Sequence, residues 1–97
     1  MPNAMRPIPP GEILREELEE LELSATALAH ALKVPPNRIT SILNATRAIT
    51  ADTALRLARY FGTTAEFWLN LQQAYDLRRT QRDAGKVIQR EVHPRAA

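Results

Sequence analysis

The chain has 97 residues and no cysteine, and its 13 Lys/Arg against 11 Asp/Glu leave a net charge of +2. That length supports one domain with a small core, which dimerisation would usefully enlarge. The apolar and charged fractions, 44% and 25%, exclude a disordered chain, and the missing cysteines exclude disulfides and thiolate zinc sites and fit a reducing, cytoplasmic setting.

Residues 1–8 read as a flexible N-terminal arm. Met1 to Ala4 precede a second methionine, Met5. The opening MPNAMRPIPP lacks the apolar stretch of a signal peptide. No apolar run approaches the length of a membrane span, so no membrane role is expected.

Pro9-Pro10-Gly11 is an extended entry into a first helix over residues 11–21. There Ile13, Leu14, Leu18 and Leu21 recur at helical spacing, with glutamates between them. Glu12 lies in the first turn, where the macrodipole favours a negative charge. Ser24 is a good N-cap for a second helix whose buried face is Leu28, Ala29 and Leu32. Lys33-Val34-Pro35-Pro36 stops it. Pro36 suits the first position of a third helix, where its missing N–H costs nothing. Ile39, Ile42 and Leu43 give that helix one apolar face, and Asn37, Arg38, Thr40 and Ser41 fall largely on the other. It ends at Asn44-Ala45-Thr46-Arg47.

Thr50 caps a fourth helix, with Asp52 in its first turn. Ala54, Leu55, Leu57, Ala58 and Phe61 are expected to supply its burial, and Gly62 is a natural terminator. Thr64 caps a fifth helix, with Glu66 in its first turn, running to about Asp83 ahead of Gly85. This helix is apolar on more than one side. Phe67, Leu71 and Ala74 follow one stripe, Trp68 and Tyr75 an adjacent one, and Leu69 a third direction. A single core contact does not cover all of this, so Phe67, Trp68, Leu71 and Tyr75 are expected at an interface with a second copy. The alternative is a wide core face closed by the tail. In that tail, from Gly85, Ile88 and Val92 fit a helix and an alternating strand equally. Residues 93–97 are expected to fray.

The most informative stretch is Ser24 to Asn44. Two short helical patterns are joined by a tight connection, and the second opens with a proline. That layout suits a helix-turn-helix, whose second helix lies in the DNA major groove. The charge distribution agrees. Residues 1–32 carry two arginines against six glutamates, whereas residues 33–97 carry eleven Lys/Arg against five acids. The positive part thus begins with the third helix, as a phosphate-binding face would. The expected base contacts are Pro36, Asn37, Arg38 and Ser41. Asn37 can pair bidentately with adenine, Arg38 with guanine or with phosphate, and Pro36 can touch a thymine methyl. The expected phosphate contacts are Ser24, Thr26, Thr40, Asn44, Thr46 and Arg47, with backbone N–H groups near Asn44 and Thr46 adding to them. Residues 9–84 form the expected DNA-binding and dimerisation domain, and residues 85–97 a short C-terminal tail.

Chemistry of other kinds is sparse. His30 and His93 are the only histidines, with no HExxH pair and no acidic calcium loop. Ser24 and Ser41 are the only serines, and Gly11, Gly62 and Gly85 lie too far apart for a phosphate loop. The glutamates of the first helix read as a solvated face and not as a general-acid pair. No catalytic residue, metal or cofactor is expected, and the chain does not read as an enzyme.

The run PPGEILREELEELELSATALAHALKVPPNRI, followed by RAITADTALRLARYFGTTAEFWLNLQQAYDLR, resembles the HigA-type antitoxins, also described as VapI-like. These are helix-turn-helix proteins of the Xre and Cro/phage-repressor class. The P-G-E-I-L opening and the ITADTALRLARYFGT and FWLNLQ stretches carry the specificity of the match, which covers about Pro9 to Arg78. The resemblance implies an all-α, five-helix, lambda-repressor-like fold, usually dimeric. It implies binding to double-stranded operator DNA in the family's own promoter, and a HigB-type toxin of the RelE-like endoribonucleases as partner. Such a toxin is expected to be basic, so Glu16, Glu19 and Glu20 are candidate toxin contacts. A stand-alone repressor, or a module that chiefly sequesters toxin, are the alternatives. The chain departs from the wider pattern at three places: Lys33 stands where the turn often has glycine, Asn44-Ala45 where Asn-Gly is common, and Ala25 where many relatives carry glutamine. Ala45 lacks glycine's easy access to the left-handed conformation.

Overall fold

The computed structural model describes residues 6–96, so residues 1–5 of the expected N-terminal arm, and Ala97, lie outside the described residues. Among the described residues there are five helices and no strand: α1 (Pro10–Leu21), α2 (Ala25–Leu32), α3 (Pro36–Leu43), α4 (Ala51–Phe61) and α5 (Ala65–Glu91). This is the all-α helix-turn-helix architecture expected. No helix among the described residues is long and apolar enough to cross a membrane.

Local chemistry starts the helices. The hydroxyls of Ser24, Thr50 and Thr64 accept hydrogen bonds from the backbone N–H of Ala27, Thr53 and Phe67, satisfying donors that a first turn leaves without partners. Pro9 and Pro35 precede α1 and α3 in extended conformation, with Pro10 and Pro36 as the first helical residues. The ends are less conventional. α1, α2 and α3 all close through a left-handed residue that is not glycine: Glu22 (φ 53°), Lys33 (φ 62°) and Ala45 (φ 61°). In each case paired hydrogen bonds recover the last carbonyls. For α2, Val34 N donates to Ala29 O (3.0 Å) and Lys33 N to His30 O (3.2 Å); for α3, Thr46 N donates to Ser41 O (2.9 Å) and Ala45 N to Ile42 O (3.0 Å). Ala45 therefore adopts the left-handed conformation despite its Cβ. The departures from glycine at positions 33 and 45 are accommodated, at a local strain cost.

The core lies where α1–α4 meet the first half of α5. Leu14, Leu28, Ile39, Ile42, Leu57 and Trp68 are its large, fully buried side chains. One expectation for burial fails: Leu55 is 63% exposed, and Leu21, at the end of the apolar stripe of α1, also faces outward at 52%. Gln72, itself buried, accepts a hydrogen bond from Ile49 N through Oε1 (2.8 Å) and donates through Nε2 to Asp76 (2.9 Å). This fixes the connection between α3 and α4 onto α5.

The helix end expected at Asp83 is corrected. α5 continues through Gly85 to Glu91, 27 residues in all, about 40 Å at 1.5 Å per residue. An interior glycine costs about 1 kcal/mol relative to alanine. Good helix formers around it (Gln81, Arg82, Ala84, Lys86) offset that, and no proline intervenes before Pro94. The boundary expected between residues 84 and 85 therefore falls inside one helix. Ile88 and Val92 belong to a helix and its end, not to a strand. Among the described residues none beyond Gln72 is buried. The protruding second half of α5 stretches the molecule to 53 × 26 × 23 Å.

Candidate nucleic-acid interface

α3 is the helix to which the surface chemistry converges. Ile39 and Ile42 anchor it in the core, which turns Pro36, Asn37, Thr40 and Asn44 to solvent along one face; Ser41 is half-buried beside them. Two contacts with α1 fix the far end of this helix. Gly11 lies against the backbone of Ile42 and Leu43, and Arg15 Nη2 donates to Leu43 O (3.4 Å). α2 packs against α3 from the other side, through the turn that Lys33 and Val34 close.

Arg38 is not a free side chain. Its Nη1 donates to Asp52 Oδ2 at 2.5 Å, and the Arg38 side chain is only 28% exposed. The same Asp52 oxygen accepts from Arg56 Nε (2.9 Å), and Arg56 Nη1 donates to Leu32 O (2.8 Å). One carboxylate thus joins the start of α3 to α4, while Arg56 ties α4 to the end of α2. Hydrogen bonds from Arg56 and then Arg38 hold the Asp52 carboxyl below the usual carboxylate range. From the sequence alone, Asp52 has a place only in the first turn of α4. The i,i+4 spacing of Asp52 and Arg56 was a readable signal, but the link to Arg38, fourteen residues away, was not.

The expected phosphate residues divide. Ser24 uses its hydroxyl oxygen to cap α2, which leaves its O–H as a donor, and Thr26 is exposed beside it. Arg47 is exposed, with no ion pair among the described residues, and helps line a groove of about 370 Å³ with Gly11, Tyr75 and Arg79. Thr40 Oγ1 bonds back to Pro36 O (3.4 Å). Two expectations are corrected. The backbone N–H groups of Asn44 and Thr46 are bound to Thr40 O (3.0 Å) and Ser41 O (2.9 Å), and the Thr46 hydroxyl donates to Ser41 O (3.1 Å). Thr46 thus spends both its donors closing α3 and has none for phosphate, and only the side chain of Asn44 is available.

Among the residues expected at a second-copy interface, Trp68 is corrected as well. It is 1% exposed, its Nε1 donates to Thr63 Oγ1 (2.9 Å), and its ring packs against Phe61 and Phe67. The place of α4 against α5 makes it core. Phe67 is 43% exposed, and Leu71 and Tyr75 are half-buried. The last two help line an apolar groove of about 260 Å³ with Ile8, Ile13 and Ala74. Glu16, Glu19 and Glu20 are exposed on α1, and none is in an ion pair among the described residues. The described residues contain no cluster of three or more His, Asp or Glu side chains placed to hold a metal ion.

Comparison with known proteins follows the same lines. The family described as helix-turn-helix matches residues 14–68. Virulence-associated protein I of Dichelobacter nodosus is 60% identical over 86 residues, which are 88% of this chain and 80% of that relative. An addiction module antidote protein of a HigA family from Coxiella burnetii superposes with a TM-score of 0.91 at 61% identity, over 94% of this chain and 100% of the other. Pseudomonas aeruginosa antitoxin HigA, solved with the higBA promoter, superposes with a TM-score of 0.90 at 49% identity, again over 94% and 100%.

Proposed function

The chain belongs to the helix-turn-helix family, among its HigA-type and VapI-like members, and on that premise we propose that it is the antitoxin of a type II toxin–antitoxin module. It binds its own operator as a dimer, represses the promoter, and neutralises a RelE-like, mRNA-cleaving toxin of the HigB type. The observation that carries the reading is the outward face of α3, with polar Asn37, Thr40 and Asn44 next to Pro36, beside the tethered Arg38 and followed by the exposed Arg47. A recognition helix needs base-reading groups at its N-terminal end and cations near its flanks for phosphate. The Pseudomonas relative with its promoter supports the same use of the fold.

In this reading Asn37 pairs with adenine, Arg38 with guanine, Pro36 touches a thymine methyl and Ser41 adds a shorter contact. The Ser24 hydroxyl, Thr26 and Arg47 engage phosphates. Phe67, Leu71 and Tyr75 contribute to the dimer interface. Glu16, Glu19 and Glu20 present an acidic face to a basic toxin.

The test is a fluorescence-anisotropy titration of the purified protein against DNA from upstream of its own gene, with a scrambled duplex and two salt concentrations as controls. Tight binding to the upstream DNA, weakening steeply with salt, is expected. Arg47→Ala should weaken binding to every sequence and lower the salt slope by about one. Equal affinity for the two duplexes would remove the autorepressor reading and leave toxin sequestration as the main role.

A further inference from the structure

We propose that Asp52 is a specificity-determining residue that acts by positioning Arg38: it fixes the guanidinium so that a two-donor edge is offered to one guanine of the operator. This rests on the DNA-reading function proposed above and adds to it a residue outside the recognition helix. Arg38 is the third residue of α3, where a recognition helix reads bases. Asp52 engages only Nη1. Nε and Nη2 have no protein acceptor among the described residues, and these parallel N–H groups match the O6 and N7 of guanine. An unanchored arginine has many rotamers, and most of them reach phosphate as readily as a base edge. The tether to Asp52 removes that freedom before DNA arrives, so the ordering cost is not met on binding.

A first-turn aspartate has a simpler use, to favour the α4 dipole or cap its N–H groups. Here the cap is already supplied by Thr50. The Asp52 hydrogen bonds go instead to two arginines, one on the reading helix and one that braces the carboxylate against the end of α2. A carboxylate in this place repels phosphate, so it lowers affinity for all DNA while raising the difference between right and wrong sequences.

The experiment compares wild type, Asp52→Asn, Arg38→Ala and the double variant. Their affinities are measured for the upstream duplex, a scrambled duplex and upstream duplexes with single base-pair changes. Asp52→Asn should bind scrambled DNA severalfold more tightly, and its preference for upstream over scrambled DNA should fall about tenfold. The lost discrimination should fall at the same G·C pair that Arg38→Ala affects, and Asp52→Asn should have no further effect on discrimination in the Arg38→Ala background. Asp52→Ser, which is also compatible with a helix start, should repeat the result and serves if Asp52→Asn folds poorly by circular dichroism. Undiminished discrimination in both Asp52 variants overturns the proposal, as does a loss that persists in full without Arg38. Failure of the wild type to prefer its upstream DNA would instead overturn the DNA-reading function itself.

Discussion

A Cβ atom placed on Gly11 would overlap the carbonyl oxygen of Ile42 and lie 2.9 Å from Cα of Leu43. The start of α1 therefore meets the end of α3 backbone to backbone, and this contact sets how α3 stands in the domain.

Gly11→Ala should destabilise the fold by about 1–3 kcal/mol, because the obstructing atoms are main chain and have no rotamer to give. The intrinsic helix gain of alanine does not offset this. Gly85 is the control. It lies inside a helix with no atom near its missing Cβ, so Gly85→Ala should stabilise by about 0.5–1 kcal/mol. Urea denaturation of both variants checks the pair, and two changes of the same sign would contradict the close approach.

Ala45→Gly should stabilise the chain by about 0.5–1 kcal/mol, the left-handed cost of alanine less the extra entropy of unfolded glycine. Lys33→Gly should behave alike, since both residues close helices at φ near 60°. A drop in the urea midpoint for either variant would mean that the strain inferred at these helix ends is absent.

Trp68 and Phe67 are neighbours with opposite fates. Trp68→Ala should cost about 3–5 kcal/mol through the cavity it leaves. Phe67→Ala should cost the isolated monomer about 1 kcal/mol or less, yet shift a monomer–dimer equilibrium toward monomer. Sedimentation equilibrium together with denaturation at low protein concentration separates these effects. Dimerisation unchanged by Phe67→Ala would exclude that side chain from the interface.

Gln72→Leu should cost about 1–3 kcal/mol, although leucine is the more apolar residue. It leaves the buried N–H of Ile49 without its acceptor. Hydrogen exchange at Ile49 should accelerate more than exchange in α2, and equal acceleration at both places would argue against a local role.

Acid should loosen the ion pairs of two carboxylates. Asp52 is held below the usual range by Arg56 and then Arg38, and Glu12 by Arg6. A carboxyl with a depressed folded pKa contributes stability that is fully present above its unfolded value of about 4 and is lost as pH falls through the lower folded value. Both carboxylates are largely open to solvent, so the contributions are small. Melting temperature should be insensitive to these groups from about pH 8 to 5 and decline below about pH 4. Asp52→Asn should shallow that decline, and an unchanged acid limb would remove Asp52 from it.

Local chemistry made much of this protein readable in one dimension. Ser24, Thr50 and Thr64 are caps wherever an apolar helical pattern follows them, and Pro36 opens a helix because it needs no donor there. Five helices, the helix-turn-helix and the outward Asn37 and Thr40 follow from spacing and from short-range hydrogen bonds. Three-dimensional packing decided the rest. Phe67 and Trp68 are adjacent on a helix apolar on several sides, and only the position of α4 determines which becomes core. Gly85 looked like an end because its cost is local, whereas the balance that carries the helix past it is summed over a whole segment. Arg38 looked free because its partner lies fourteen residues away on another helix. Periodicity reports which face of a helix is apolar, but an ion pair between helices depends on their crossing, which the folded domain alone sets.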